Sequence, residues 1–289
     1  MNKDQNYWRI ELAKYLFKRI DTLDCISTVF IGGSVCRGYA DEYSDLEICF
    51  VWKKQIEEQD IILINKTFNV VSFDRRYKKN SFIQIEDSVY LNDFQIDIYH
   101  IYIGEINKII DDVLYSYDIN LEKMNYLNVL KNSIPLYGYE INSEWKQKIN
   151  QYPAKLAELI ISTHIKNFFR ADGRLFIYRE DWAIFYNLIA GYQKLIFLVL
   201  TGINHIYFPL FKNMNKTIER MDIKPENTIA LYKNIYTFSP VEIWNNIVDL
   251  KINTLKLVET YYPNISTSQI YKQKSYMRRK HAHPPVVLI

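Results

Sequence analysis

Between Thr28 and Trp52 the chain sets out residue types able to handle a phosphate and a cation. The apolar run Thr28-Val-Phe-Ile31 ends in Gly32-Gly33-Ser34. Missing side chains let backbone N–H groups approach an anion closely there, and Ser34 adds a hydroxyl and a helix-start amide. Asp45-Leu46-Glu47 follows, opening a second apolar run that ends at Trp52. The two-residue period of a strand turns both acids to one face and Leu46 to the other. Like charges held that close are unfavourable until a divalent cation neutralises them, and carboxylate oxygens suit Mg²⁺. Alone, Gly-Gly-Ser reads as a turn and Asp-x-Glu as a solvated strand edge.

The combination is more specific than its parts. A strand ending in Gly-Gly-Ser, an intervening loop, and Asp-h-Glu-h entering a second strand resembles the signature of the polymerase-β-like nucleotidyltransferase superfamily. Within it, Gly33-Ser34-x-x-Arg37-Gly38, then Ala40-Asp41 and Ser44-Asp45-Leu46-Glu47, looks most like the antibiotic-modifying (aminoglycoside- and lincosamide-type) and minimal nucleotidyltransferases. The resemblance implies that Asp45 and Glu47 hold Mg²⁺ on the phosphates of a nucleoside triphosphate, while Gly33 and Ser34 cradle the outer phosphates. It also implies a third catalytic and metal-binding carboxylate on a later strand. Asp97 in Phe94-Gln-Ile-Asp-Ile-Tyr-His100 is the candidate, either completing a second metal site or accepting the proton of an acceptor hydroxyl; Asp93 and Glu86 are weaker alternatives. Arg37 either neutralises the triphosphate or salt-bridges the Asp41-Glu42 loop. Further along, Asn204-His-Ile-Tyr-Phe-Pro209-x-x-Lys212 resembles a motif of some uncharacterised nucleotidyltransferases, which makes Lys212 a candidate phosphate ligand beside the plainer reading of a helix end. Arg179-Glu180-Asp181 supplies either a substrate-facing carboxylate or, through Asp181, a helix N-cap. His100, His164 and His205 show no metal spacing, and His281 and His283 read as solvated.

The elements that must position these residues are α/β over the first hundred residues. Trp8, Leu12, Tyr15, Leu16 and Ile20 recur at helical steps over residues 6–20. Strands are expected at Thr28–Ile31, Leu46–Trp52, Phe68–Phe73 and Phe94–Tyr102, the last alternating so that Asp97 faces away from Ile96 and Ile98. Beyond Ile106 the pattern turns helical, with helices expected at Leu156–Phe169, Asp181–Leu200, Pro225–Tyr236 and Pro240–Tyr261, and no strand after residue 105. The expected fold is α+β: a nucleotidyltransferase domain with a mixed sheet over 1–115, a helical-bundle substrate domain over 116–270, and a basic tail over 271–289.

Composition narrows the classes. Among 289 residues, 36 basic and 33 acidic side chains leave a charge of +3, too small to announce a nucleic-acid binder. Only 8 glycines and 8 prolines argue against a linker-dominated or many-turned all-β chain. Cys25, Cys36 and Cys49 fit neither a disulfide framework nor a thiolate metal site, which favours a reducing cytoplasm. No signal peptide is read at the start, and Thr201, Asn204 and His205 interrupt the apolar Leu195–Leu200 run, so no membrane partner is expected. The expected protein is a cytoplasmic, Mg²⁺-dependent nucleotidyltransferase, monomeric or homodimeric. It transfers a nucleoside monophosphate, AMP from ATP, to a hydroxyl of a small molecule such as an antibiotic. Two alternatives stay open: transfer to a protein or tRNA in a toxin–antitoxin-like system, favoured only by the Arg278-Arg279-Lys280 tail, and nucleotide binding without turnover.

Overall fold

A computed structural model describes residues 3–20, 24–67, 73–79, 83–91 and 93–275. Most of the expected Phe68–Phe73 strand lies outside these residues, as do the basic run at 278–280, His281 and His283.

The Gly-Gly turn is carried by β1 (Ile26–Ile31), which is β-branched or aromatic at most positions and buried at all of them. It pairs antiparallel with β2 (Leu46–Trp52), setting Ile31 beside Ile48. On its other side β2 runs parallel to β5 (Phe94–Tyr102), with Glu47 opposite Asp97. Strands β3 (Phe73–Lys79) and β4 (Ile83–Leu91) continue the sheet antiparallel beyond β5. The short β6 (Ile134–Tyr137) pairs with the free side of β1. The result is a six-stranded mixed sheet in the order β3-β4-β5-β2-β1-β6.

One face of this sheet is apolar. Ile26, Val29, Ile31, Leu46, Ile48, Phe50, Trp52, Val89, Ile96 and Ile98 pack with Ala13 and Leu16 of α1 (Lys3–Phe17) and Ile64 of α3 (Glu58–Thr67). The turn after β1 leads into a four-residue helix, α2 (Gly33–Cys36). After β5 the chain enters α4 (Ile103–Leu114), whose Ile106, Ile109, Ile110 and Val113 are buried. Next comes α5 (Leu121–Asn132), capped by the Asn120 side chain accepting from the amides of Glu122 and Lys123. Beyond β6 lies α6 (Tyr139–Asn150). These helices contact one another, β5 and β1.

The chain divides into two compact units, Met1–Leu156 with Tyr207–Pro209, and Ala157–Ile206 with Leu210–Ile289. The division expected at residue 115 and the absence of strands after residue 105 are both corrected here. Strand β6 belongs to the same sheet as the Gly-Gly turn, so α4, α5 and α6 stay with the first unit.

The second unit is helical in its described residues. Its elements are the greater part of α7 (Ala154–Ile165), then α8 (Arg174–Tyr178), α9 (Trp182–Ile203), α10 (Met214–Glu219), α11 (Thr228–Asn234), α12 (Pro240–Tyr261) and α13 (Ser268–Ser275). Pro240 sits in the first turn of α12, whose start is a capping box: the Ser239 hydroxyl accepts from the Glu242 amide and the Glu242 carboxylate accepts from the Ser239 amide. Among the described helices only α9 is long and apolar enough to cross a bilayer. Half of its most apolar stretch is buried in the fold, and α9 contacts α12, so its hydrophobicity has a use within the unit.

Candidate active site

The site begins where β1 ends. The Gly32 amide donates to the Glu47 carbonyl at 3.0 Å, lashing the turn to β2. Gly33 has φ +61°, and a Cβ built on it would lie 0.9 Å from Glu47 Oε2. The Glu47 carboxylate therefore rests against bare backbone that only glycine leaves open. The Cys36 thiol donates to the Gly33 carbonyl at 3.2 Å from below, and burial pushes its pKa up to about 12, so it stays a neutral donor. Ser34 Oγ is buried with no hydrogen-bond partner among the described residues.

Sheet register brings the acids together. Ser88, Asp97 and Glu47 form one row across β4, β5 and β2, and Glu86, Tyr99 and Cys49 form another two residues along. Asp97 is buried, although alternation alone would expose it. Its Oδ1 accepts from the Ser88 hydroxyl at 2.7 Å and from Gln95 Nε2 at 2.9 Å. Both donors use the same oxygen. Asp45 sits just before β2, partly exposed and on the Glu47 side by period. Burial raises the Tyr99 pKa well above the ordinary tyrosine range, and the negative charges of Glu47, Glu86, Asp97 and Asp45 push the same way. Tyr99 is accordingly a phenol that keeps its proton amid four carboxylates.

The structure thus gathers Gly33, Ser34, Asp45, Glu47 and Asp97 at one end of the sheet. It does not preassemble the expected three-carboxylate metal cage: among the described residues no three His, Cys, Asp or Glu side chains converge to hold an ion. The cause lies in the sheet. Ser88 draws Asp97 toward β4, while Glu47 leans the other way onto Gly33. Of the alternatives, Asp93 is exposed with φ +67°, whereas Glu86 is buried in the next row.

Arg37 donates through Nε to Asn128 Oδ1 at 2.9 Å and through NH2 to Asn125 Oδ1 at 3.2 Å, which anchors it to α5. Lys212 is exposed and belongs to the second unit. Within its motif, Tyr207 is structural: its hydroxyl donates to the Ile149 carbonyl and its own carbonyl accepts from Asn128 Nδ2. Asn204 likewise makes a reciprocal pair with the Ile223 backbone. Asp181 occupies the N-cap position of α9 without a side-chain cap, after Glu180 at φ +55°. Ser88, Gln95 and Tyr99 were not singled out by sequence; only the Gln95, Asp97, Tyr99 alternation hinted that they share a face.

A triphosphate with its cation suits what is present. The donors are all hard oxygens, Ser34 offers a buried hydroxyl with no partner among the described residues, and Gly33 presents backbone without a side chain in the way.

No protein-family model matches the chain, and no curated protein does. A nucleotidyltransferase-like protein from Exiguobacterium sibiricum 255-15 aligns over 94% of this chain and 79% of its own, with a TM-score of 0.40 and 9% identity. The Cid1 poly(U) polymerase bound to MgGTP aligns over 44% of this chain and 42% of its own, with a TM-score of 0.26 and 17% identity. A chain of the GLD-2/RNP-8 complex covers 49% of each, with a TM-score of 0.27 and 14% identity.

Proposed function

We propose that this chain is a Mg²⁺-dependent nucleotidyltransferase that transfers AMP from ATP to a hydroxyl of a small polyhydroxylated molecule, an antibiotic being the acceptor to test first, and releases pyrophosphate. The observation that carries the reading is the Glu47 carboxylate, packed on the side-chain-free backbone of Gly33 and in register with Asp97. One turn and two strands thereby bring a phosphate cradle and an acidic pair to one place.

Mg²⁺ characteristically takes one or two carboxylates and completes its shell with phosphates and water, so the pair Asp45 and Glu47 suffices without a protein cage. Bound there, it would neutralise charge on the triphosphate. Gly33 and Ser34 receive the outer phosphates. Asp97, fixed through Oδ1, keeps Oδ2 for the acceptor: it takes the hydroxyl proton as the acceptor oxygen bonds to the α-phosphorus and the bond from that phosphorus to the bridging oxygen breaks. Tyr99 stays protonated beside them and can donate but not accept this proton. The test is pyrophosphate release from nucleoside triphosphates against pooled antibiotics. Wild type is expected to release it and Asp45→Asn to release none while remaining folded. Near-wild-type turnover by that variant would sink the metal assignment.

A further inference from the structure

The loop that delivers Asp45 is held from below by a buried cation. Arg9 of α1 is only 1% exposed, and its guanidinium lies 4.2 Å from the Trp8 ring centre and 5.5 Å from that of Phe94, the first residue of the Asp97 strand. Its Nε donates to the Ser44 carbonyl at 3.0 Å, NH2 to the Asp41 carbonyl at 3.0 Å and again to Ser44, and NH1 to the Gln5 carbonyl and side chain. Ser44 is the residue immediately before Asp45. A second α1 residue, Asn6, accepts from the Ala40 amide, so the loop is gripped at both ends.

The chemistry of this grip is selective. These hydrogen bonds go to carbonyl oxygens and to the Gln5 amide, not to a carboxylate; burial lowers the Arg9 pKa, while the charges of Asp41 and Asp45 push it back up. The cation therefore offsets the negative charge of the loop while making no hydrogen bond of its own to the Asp45 carboxylate. Lysine could not reproduce this, because a single ammonium cannot span two carbonyls as a planar fork does while stacking against rings.

We propose that Arg9 is a positioning residue for Asp45, fixing the backbone of residues 41–44 so that the Asp45 carboxylate is aimed into the metal site. The assignment rests on the reading of the site given above.

The probe is Mn²⁺ with ATP, followed by electron paramagnetic resonance, on the full chain and below the melting temperature of each variant. Wild type binds Mn²⁺ and Asp45→Asn does not; equal binding by these two overturns the reading of the site itself. With that reading intact, folded Arg9→Lys binds Mn²⁺ at least about tenfold more weakly, with a broadened line shape. Tyr43→Ala, whose side chain is 98% exposed in the same loop, binds as wild type. Folded Arg9→Lys with wild-type affinity and line shape overturns the proposal. Should every Arg9 variant fail to fold, Gln5→Ala, which removes the side-chain acceptor of NH1 and keeps its bond to the Gln5 carbonyl, decides by the same two measurements.

Discussion

The two faces of β2 and β5 carry buried ionisable groups and use them in opposite ways. On the apolar face, Asp87 and His100 are both fully buried, with His100 Nε2 3.9 Å from Asp87 Oδ2. The Trp52 indole donates to His100 Nδ1 at 3.2 Å. An indole N–H can only donate, so Nδ1 accepts and the imidazole proton sits on Nε2, turned to Asp87. That cluster is sealed in hydrophobic packing and turns no face to a ligand. On the opposite face, Glu47 and Asp45 are partly exposed, Ser34 has a hydroxyl with no partner among the described residues, and the four carboxylates around Tyr99 share one sign. Burial of a charge does not by itself mark a site; like charges gathered beside a side-chain-free turn do.

Substitutions on the two faces should separate cleanly. The largest effect is expected from Asp45→Asn or Glu47→Gln, a loss of roughly a thousandfold or more in pyrophosphate release, equivalent to about 4 kcal/mol of transition-state stabilisation. The melting temperature should be unchanged or raised, because a like-charge repulsion is relieved. Next is Gly33→Ala. It forces a Cβ into the Glu47 carboxylate at a left-handed φ, and should cost about 1–2 kcal/mol in stability together with most of the activity. His100→Leu on the other face should behave inversely. It leaves the Trp52 donor unmet, lowers stability by about 1–3 kcal/mol and leaves turnover per folded molecule intact; a loss of turnover there would dissolve the distinction between the faces.

Ser88→Ala removes one of two donors to Asp97 and should lower kcat by about 10- to 100-fold with little change in nucleotide KM, and Ser88→Thr should restore part of it. The smallest effect concerns pH. The raised pKa of Tyr99 means that the folded chain keeps a proton that the unfolded chain releases above the ordinary tyrosine value of 10.0. Stability is therefore complete below that pH and declines as pH rises past it. Alkaline melts of Tyr99→Phe should show a shallower decline, and an identical slope would remove Tyr99 from the acidic group.

Much of the acidic face was legible in the sequence because glycine pairs are scarce in this chain and strand alternation is local. The two-residue period put Asp45 and Glu47 on one side of β2, the resemblance to nucleotidyltransferases pointed to Asp97, and the α+β order needed only the change of pattern after β5. Strand β4 was hidden because Glu86, Asp87 and Ser88 stand together in its middle and interrupt the apolar alternation. Strand β6 was hidden because Ile-Pro-Leu-Tyr is four residues long and contains a proline, which reads as a loop until β1 supplies the pairing. Nothing in the local pattern of α1 marks Arg9; its burial comes from a loop more than thirty positions away. Arg37 was legible as a residue type but not in its placement, since its hydrogen bonds to Asn125 and Asn128 come from a helix about ninety positions away.

The pairing of β6 with β1 also bears on the order in which the molecule can be made. As the chain leaves the ribosome, the strand that ends in the Gly-Gly turn keeps one bare edge until residue 137 has emerged, long after every acidic residue of the site has been synthesised. Open edges of this kind are where newly made chains pair with the wrong partner. A fragment cut at the end of β5 would keep Asp45, Glu47 and Asp97 and lose its guard against self-association, so the smallest piece worth expressing on its own runs at least through β6.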